Sequence, residues 1–216
     1  MKRGYFIVLE GGEGAGKSVQ AQLLTNRLRQ EGHTVVVTRE PGGTRIGEQI
    51  RAITHDPENV DLDPVAEAYL MAASRAQHVR ETIEPALEDG KIVISDRFVD
   101  SNIAYQGFGR ELGEDVIAKM NELAVNGAKP DLVLLLNIPP LVGHSRLEKE
   151  GKRKDRLVMQ RMDFYDRVHE GYLALAKAHP NQYVVIDATG SIEEVASSVW
   201  KAVHSALARR NEEVKK

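Results

Sequence analysis

The stretch FIVLEGGEGAGKSVQ, Phe6 to Gln20, is an apolar run that ends in a cluster of glycines around one lysine. Its centre fits the pattern G-x-x-x-x-G-K-[ST] at the point where a strand gives way to a helix. In such a phosphate-binding loop (P-loop), glycines let successive backbone N–H groups turn inwards, and the following helix adds its positive end. The stretch therefore predicts a nucleoside triphosphate site, with ATP expected on Gly11, Gly12, Glu13, Gly14, Ala15, Gly16, Lys17 and Ser18.

Short β-branched runs alternate with longer amphipathic stretches along the chain. Five runs read as strands: FIVLE, TVVVTRE, KIVISDR, DLVLLLNI and QYVVIDA. Strands that alternate with helices favour a parallel sheet with helices on both faces. We therefore expect a three-layer α/β P-loop NTPase fold with a five-stranded parallel sheet, formed by a single domain over residues 1–216. Helices are predicted from about Asp63 to Leu87 and from about Leu157 to His179, with a short charged lid at about 148–157.

Composition excludes several classes of protein. The chain has 216 residues, a formal net charge of -3 and no cysteine. A slightly acidic chain gives no electrostatic case for a nucleic-acid polymer as partner. No apolar run approaches the roughly 18 residues of a membrane span, and no cleavage site follows the N-terminus. We expect a cytoplasmic protein without a membrane partner.

A P-loop alone does not separate a kinase from a GTPase or a mechanical ATPase. The N-K-x-D motif by which switch GTPases recognise guanine is absent from the sequence. Arginines occur instead at or near the predicted strand ends, at Arg39, Arg51, Arg75 and Arg97. Guanidinium groups match phosphate oxygens in pairs, so this set favours a second anionic substrate and hence a kinase.

Four further segments accompany the P-loop. They are TREPGGT (38–44), AASRAQH (72–78), DRFVDSNIAYQG (96–107) and KPDL (129–132). Together with the P-loop and its acidic Glu13, they resemble the motifs of bacterial thymidylate kinases over nearly the full chain. The resemblance implies a P-loop kinase that passes the γ-phosphoryl group of ATP to dTMP, giving ADP and dTDP.

The resemblance also implies roles at the phosphates. Lys17 and Ser18 would hold the ATP phosphates and Mg²⁺. Asp96, at the end of its strand, would act on the metal and its waters or on the acceptor phosphate. Arg97 and Arg51 would hold the dTMP phosphate, while Glu40 and Pro41 would shape the acceptor site. Mg²⁺ is the expected cofactor.

The nucleoside end is assigned by the same resemblance. Arg75 and Gln106 would hydrogen-bond the thymine edge, with Asn102 beside them. Tyr105 would pack under the deoxyribose, and Glu13 would reach its 3′-hydroxyl. Met71 stands where the family usually has a phenylalanine that stacks on thymine, so the sequence leaves base stacking open.

The resemblance also has implications for the lid, the adenine contact and the oligomeric state. A basic residue of the lid would close over the phosphates, with Arg153 chosen from a set that also holds Lys152, Lys154 and Arg156. Arg146 resembles the arginine that stacks on adenine. The family resemblance implies a homodimer, and the apolar face of the helix at 63–87 is a candidate surface.

Two alternatives stay open on the sequence. A deoxynucleoside kinase would phosphorylate a 5′-hydroxyl with Glu40 as general base. A non-catalytic P-loop protein would bind ATP without turning over dTMP.

Overall fold

The computed structural model describes residues 3–149 and 156–213 of the chain. A five-stranded sheet in the order β2-β3-β1-β4-β5 forms its centre, and all neighbouring strands run parallel. The strands are β1 Tyr5–Glu10, β2 Val35–Arg39, β3 Ile92–Asp96, β4 Leu132–Asn137 and β5 Tyr183–Asp187. The predicted five-stranded parallel sheet is confirmed.

Helices connect successive strands and cover both faces of the sheet. In chain order they are α1 Lys17–Gln30, α2 Arg45–His55, α3 Pro64–His78, a π-helical turn Val79–Ile83, α4 Glu84–Glu88, α5 Val99–Asn102, a second π-helical segment Ile103–Gly109, α6 Glu114–Val125, α7 Pro140–Lys149, α8 Met162–Ala178 and α9 Ile192–Glu213. Within the described ranges, no helix is long and apolar enough to span a membrane.

The alternation of side chains along β1 divides the core into two clusters. Phe6 and Val8 pack with residues from α3, α8 and the π-helical segments, whereas Ile7 and Leu9 pack with α1 and α9. Successive side chains of a strand point to opposite faces of the sheet, so an unbroken apolar run supplies both clusters. All four side chains are fully buried.

The helix predicted at 63–87 is present as α3, the π-helical turn and α4, which follow one another without a break from 64 to 88. The start of the helix predicted at 157–179 was wrong, because α8 begins at Met162. The hydroxyl of Tyr165 donates to the carbonyl oxygen of Leu157, and the amide of Gln160 donates to the same oxygen. In a helix through Leu157, the same carbonyl oxygen would instead accept from the backbone amide four residues later.

Candidate active site

The P-loop connects β1 to α1 at the carboxyl end of the sheet. Gly14 has a φ of 72°, and a side chain there would meet the carbonyl oxygen of Gly143 in α7 at 2.2 Å. The loop thus needs glycine both for its backbone conformation and for close approach to a neighbouring helix. Strands β3 and β4 lie on either side of β1, so the residues at their carboxyl ends border the P-loop.

Two P-loop side chains form the candidate donor-phosphate site. The ammonium of Lys17 donates to the carbonyl oxygens of Gly11 and Gly12, at 3.0 Å and 2.8 Å. Burial, together with the nearby Arg97, lowers the pKa of Lys17 from its ordinary value. The Ser18 hydroxyl donates to Asp96 at 2.5 Å, which brings the P-loop against the end of β3.

Ser18 and Asp96 present a hydroxyl and a carboxylate side by side. Mg²⁺ prefers oxygen ligands and usually binds through one or two protein groups, with substrate phosphates and water completing its shell. In the part of the chain that the structure describes, no group of three or more acidic or histidine side chains could hold a metal. The hydroxyl and carboxylate oxygens of Ser18 and Asp96 are donors that fit a Mg²⁺ ion.

Glu13 joins the P-loop to the candidate acceptor site. Its Oε1 atom accepts from Arg97 at 2.6 Å and from the Tyr105 hydroxyl at 2.8 Å. Burial alone would raise the pKa of Glu13, but the charges of Arg97 and Lys17 outweigh it and lower the pKa to about 2. Glu13 is therefore a carboxylate at neutral pH.

A second group of side chains also contacts Arg97. The guanidinium donates to the hydroxyls of Ser101 and Tyr172, at 3.2 Å and 2.9 Å, and both hydroxyls contact Glu10. Glu10 also accepts from the backbone amides of Phe98 and Ser101. Burial raises the pKa of Glu10 to about 7, and the nearby Asp100 adds to the rise.

Glu10 and Tyr172 were not predicted as site residues from the sequence. Glu10 carried a signal in the sequence, because an acid that directly ends an apolar strand is expected to need polar partners. Tyr172 carried none, since it is one aromatic residue on the apolar face of α8 and resembles ordinary core.

The predicted base-recognition residues Arg75, Asn102 and Gln106 form one hydrogen-bonded cluster. Arg75 Nη1 donates to Asn102 at 3.1 Å, and Arg75 Nε lies 2.8 Å from Glu40. Asn121, which the sequence analysis missed, accepts from the same Nη1 atom. The other oxygen of Glu40 contacts His78 at 2.8 Å. Arg75 is thus fixed before any ligand arrives.

Gln106 and Met71 line one cleft together with Arg75. The Gln106 amide donates to Glu67 at 2.5 Å and accepts from Asn102 at 2.8 Å. Met71 is nearly buried and stands one helical turn from Arg75. Glu67 was also missed, because an acid at helical spacing on α3 looks like an ordinary exposed residue in sequence.

Arg51 and Pro41 line the same cleft. Arg51 Nη1 donates to the carbonyl oxygen of Pro41 at 3.1 Å. His55, which was not predicted, lines the cleft one turn after Arg51. Burial lowers the pKa of His55 to about 4, and the Arg51 charge contributes.

Two of the predicted arginines have different surroundings. Arg146 donates to the carbonyl oxygens of Ala188 and Thr189, at 2.8 Å and 2.9 Å, and does not line the cleft. Arg156 is buried against Glu67 and donates to the carbonyl oxygen of Thr54. Lys152, Arg153 and Lys154 lie outside the described residues.

One cleft of about 350 Å³ contains most of the predicted residues, a volume that suits a small-molecule ligand. Its lining combines donor-phosphate, acceptor and base-recognition groups: Glu13, Lys17, Ser18, Glu40, Pro41, Arg51, Met71, Arg75, Asp96, Arg97, Asn102, Tyr105 and Gln106. The parallel sheet, the P-loop and this cleft define a nucleotide-binding protein of the P-loop NTPase class.

Comparison with known proteins narrows the class. The sequence model of the family described as Thymidylate kinase matches residues 9–199. A thymidylate kinase of Desulfosudis oleivorans is 47% identical over 204 residues, covering 92% of this chain and 95% of the relative. One of a Synechococcus strain is 48% identical, covering 94% and 95%. A crystal structure of thymidylate kinase from Ehrlichia chaffeensis superposes with a TM-score of 0.77 at 32% identity, covering 94% of this chain and 99% of that one. The chain belongs to the thymidylate kinase family, so the family and fold predicted from sequence are confirmed.

Proposed function

We propose that the chain transfers the γ-phosphoryl group of ATP to dTMP, giving ADP and dTDP, in the cleft built on the P-loop. The observation that carries the proposal is the contact between Glu13 and Arg97, because it joins the donor-phosphate loop to an acceptor-side cation. Membership of the thymidylate kinase family supports the same reaction and makes the chain an ATP-dependent nucleoside monophosphate kinase.

On the donor side, the backbone of residues 11–16 and Lys17 bind the ATP phosphates. Lys17 exchanges the carbonyl oxygens of Gly11 and Gly12 for the β- and γ-phosphate oxygens. Ser18 and Asp96 would hold Mg²⁺, which would neutralise charge that develops on the transferred group. Asp96 also fixes Ser18 in place before the metal binds.

On the acceptor side, Arg97 and Arg51 bind the phosphate of dTMP. Two anionic substrates repel each other strongly in a partly buried site, so cations between them serve binding and the transition state alike. Glu40 and Pro41 shape the wall beside Arg51, through the contact of Pro41 with that arginine. Arg97 is held by Glu13 and Tyr172, which reduces the reordering needed on binding.

At the nucleoside end, Arg75, Asn102 and Gln106 bind the thymine edge, and Met71 lies against the ring. Tyr105 packs under the deoxyribose. Glu13 accepts a hydrogen bond from the 3′-hydroxyl, for which its ionised state suits it. All of these side chains border the one cleft that also contains Lys17.

Further proposals concern the ATP end and the assembly. Arg153 of the lid closes over the phosphates, and Arg146 orders the loop that follows β5 beside the adenine. We also propose a homodimer through the surface of α3 and α6, where Tyr69 and Leu123 are exposed.

Glu40 distinguishes this proposal from a deoxynucleoside kinase. Its two carboxylate oxygens contact Arg75 and His78 deep in the protein. A general base must be free to take a proton from the substrate hydroxyl, and Glu40 is already paired. The phosphate-binding arginines would also have no anion to bind in an uncharged acceptor.

The deciding experiment is a coupled ADP-release assay with ATP, Mg²⁺ and each of dTMP, dUMP, dGMP, dCMP and thymidine. We expect release to depend on dTMP and on Mg²⁺, with little response to thymidine. Thymidine-dependent release would favour the deoxynucleoside kinase. ATP binding without dTMP-dependent release in folded protein would favour the non-catalytic alternative.

A further inference from the structure

A chain of hydrogen bonds runs behind the base-recognition end of the cleft, from Arg75 to Glu67. Arg75 Nη1 donates to Asn102 Oδ1 at 3.1 Å, Asn102 Nδ2 donates to Gln106 Oε1 at 2.8 Å, and Gln106 Nε2 donates to Glu67 Oε1 at 2.5 Å. None of the four residues is more than 3% exposed. A partner lost from this chain would therefore leave a largely buried polar group unpaired.

The two ends of the chain fix the direction of every bond in it. A guanidinium can only donate hydrogen bonds, and a carboxylate can only accept them. The amides of Asn102 and Gln106 could each be turned over without changing shape. Turning Asn102 would set its amide nitrogen against Arg75, and turning Gln106 would set its oxygen against Glu67. Asn121 supports the same direction, since its amide donates to Asn102 Oδ1 at 2.9 Å.

Glu67 is ionised, and two arginines hold it together with Gln106. Arg110 Nε donates at 3.4 Å to Oε1, the oxygen that also accepts from Gln106. Burial would raise its pKa, but Arg110 and the hydrogen bonds from Gln106 and Arg156 lower it below the ordinary value. Arg110 Nη2 lies 3.2 Å from the carboxylate, and Arg156 donates to the same oxygen. Glu67 thus stays an acceptor at neutral pH.

This arrangement decides which group Gln106 can offer to a base. Its carbonyl oxygen is directed to Asn102, while its amide nitrogen has a second hydrogen that Glu67 does not use. We propose that Glu67 is a positioning residue that makes the site select a 4-oxo pyrimidine, because it holds the Gln106 amide with the N–H available to the base. The inference rests on the proposed function, in which Gln106 reads the base edge.

The chemistry of the two pyrimidine classes gives the selection. The 4-oxo group of thymine or uracil accepts a hydrogen bond, whereas the 4-amino group of cytosine presents hydrogens. With Gln106 fixed as a donor, cytosine would place two donors face to face in a buried site. A site built to donate at a defined atom rejects the analogue that lacks the acceptor, since its polar group is then left unpaired.

The test is Glu67→Gln, which keeps the size of the side chain but can donate as well as accept. The readout is the ratio of dTMP to dCMP affinity, measured by calorimetric titration of each nucleotide. We expect that ratio to fall about tenfold or more, as for the loss of a discriminating hydrogen bond. ATP affinity should change by less than about twofold, because the P-loop is not in this chain.

Arg110→Gln is the matched control. It removes a contact of the same carboxylate but leaves an acceptor opposite Gln106, so the affinity ratio should stay within about twofold of wild type. Glu67→Gln leaves Arg110 and Arg156 without their shared counter-charge, which lowers stability. The double variant Glu67→Gln with Arg110→Gln removes one of these cations, and it is compared with Arg110→Gln alone.

Three results would overturn the inference. They are an unchanged ratio in folded Glu67→Gln or in the double variant, an equal loss of the ratio in Arg110→Gln, and a wild type with no preference for dTMP. Wild-type protein that prefers dTMP in titration but never releases ADP would instead overturn the proposed function, while the inference on Glu67 would stand.

Discussion

Arg97 directly follows β3 and has a φ of 75°, a conformation that side chains other than glycine rarely adopt. Its amide donates to the carbonyl oxygen of Leu9, and its guanidinium contacts Glu13 and Tyr172. Backbone strain of about 1–3 kcal/mol persists only where the surroundings hold it, and it occurs often at functional sites. The strained backbone is the local reason that the guanidinium turns back over the P-loop.

Arg97→Ala tests the proposed role at the acceptor phosphate. A hydrogen bond to a charged group contributes about 1.5–3 kcal/mol, so kcat/KM for dTMP should fall about 10- to 100-fold. The KM for ATP should change far less, because Lys17 and the loop backbone remain. Steady-state kinetics with each substrate varied in turn will measure both effects. Arg29→Ala, on the exposed side of α1, is the control, and an equal loss for the two substrates would remove Arg97 from the acceptor site.

Met71→Phe tests how the base ring is held. Base–aromatic stacking contributes about 1–3 kcal/mol and a sulfur–ring contact about 0.3–1.5, so dTMP should bind several-fold to about tenfold more tightly. ATP affinity should hardly change. Titration of dTMP into cooperatively melting wild type and variant provides the comparison. Met71→Leu is the matched control without a ring, and weaker dTMP binding by Met71→Phe would mean that the pocket is built around methionine.

Predictability at the residue scale depends on how local the signal is. Lys17 and Ser18 belong to a contiguous motif whose geometry follows from the loop itself. Asp96 ends the strand that borders that loop, and Arg97 directly follows it. Tyr172, Glu67 and Asn121 reach the site only through helix packing over long separations. A single polar or aromatic residue at helical spacing has the same sequence pattern whether it faces core, solvent or ligand.

The helices show the same contrast between features that local sequence signals predict and features that depend on tertiary packing. Sequence signals give the start of α3, where Asp63 caps and Pro64 occupies the first turn. No sequence signal gives the π-helical turn Val79–Ile83, whose Val79 and Ile83 are fully buried against the sheet. Such a turn depends on packing of the whole helix, which local propensity does not describe. The late start of α8, at Met162 instead of about Leu157, likewise depends on a tertiary contact, between Leu157 and Tyr165.

Asp63→Ala tests the cap of α3. Asp63 Oδ1 accepts from the amides of Val65 and Ala66, at 2.8 Å and 3.3 Å. Loss of such a cap costs about 0.5–2 kcal/mol, so the free energy of unfolding should fall by about 1 kcal/mol. Urea denaturation measures this change, with Asp61→Ala as a nearby exposed control that should stay within about 0.5 kcal/mol of wild type. Identical midpoints for the two variants would show that the cap contributes nothing.

At the scale of the whole molecule, His55 links stability to pH. Its pKa in the folded protein is about 4, below the ordinary value of 6.5. Between these two pH values, the imidazole is therefore protonated in the unfolded chain and neutral in the folded protein. The contribution is therefore present above pH 6.5 and is lost as pH falls towards 4. Between pH 7.5 and 4.5, wild type should lose about 2 kcal/mol more stability than His55→Gln. Denaturation at both pH values will measure the difference, and His33→Gln, an exposed histidine, should behave as wild type.

The proposed homodimer depends on apolar side chains that the monomer leaves in water. Leu123 is 81% exposed and Tyr69 61% exposed, on the packed helices α6 and α3. Exposed large apolar groups on adjoining elements often mark an interface. A twofold axis brings the same surface of both copies together, so Tyr69→Glu with Leu123→Glu should place like charges opposite each other and yield monomers. Sedimentation velocity at micromolar concentration will measure the species, with Leu141→Glu on α7 as a control that should remain dimeric. A wild type that sediments as a single monomeric species would contradict the dimer, and an undissociated double variant would move the interface away from α3 and α6.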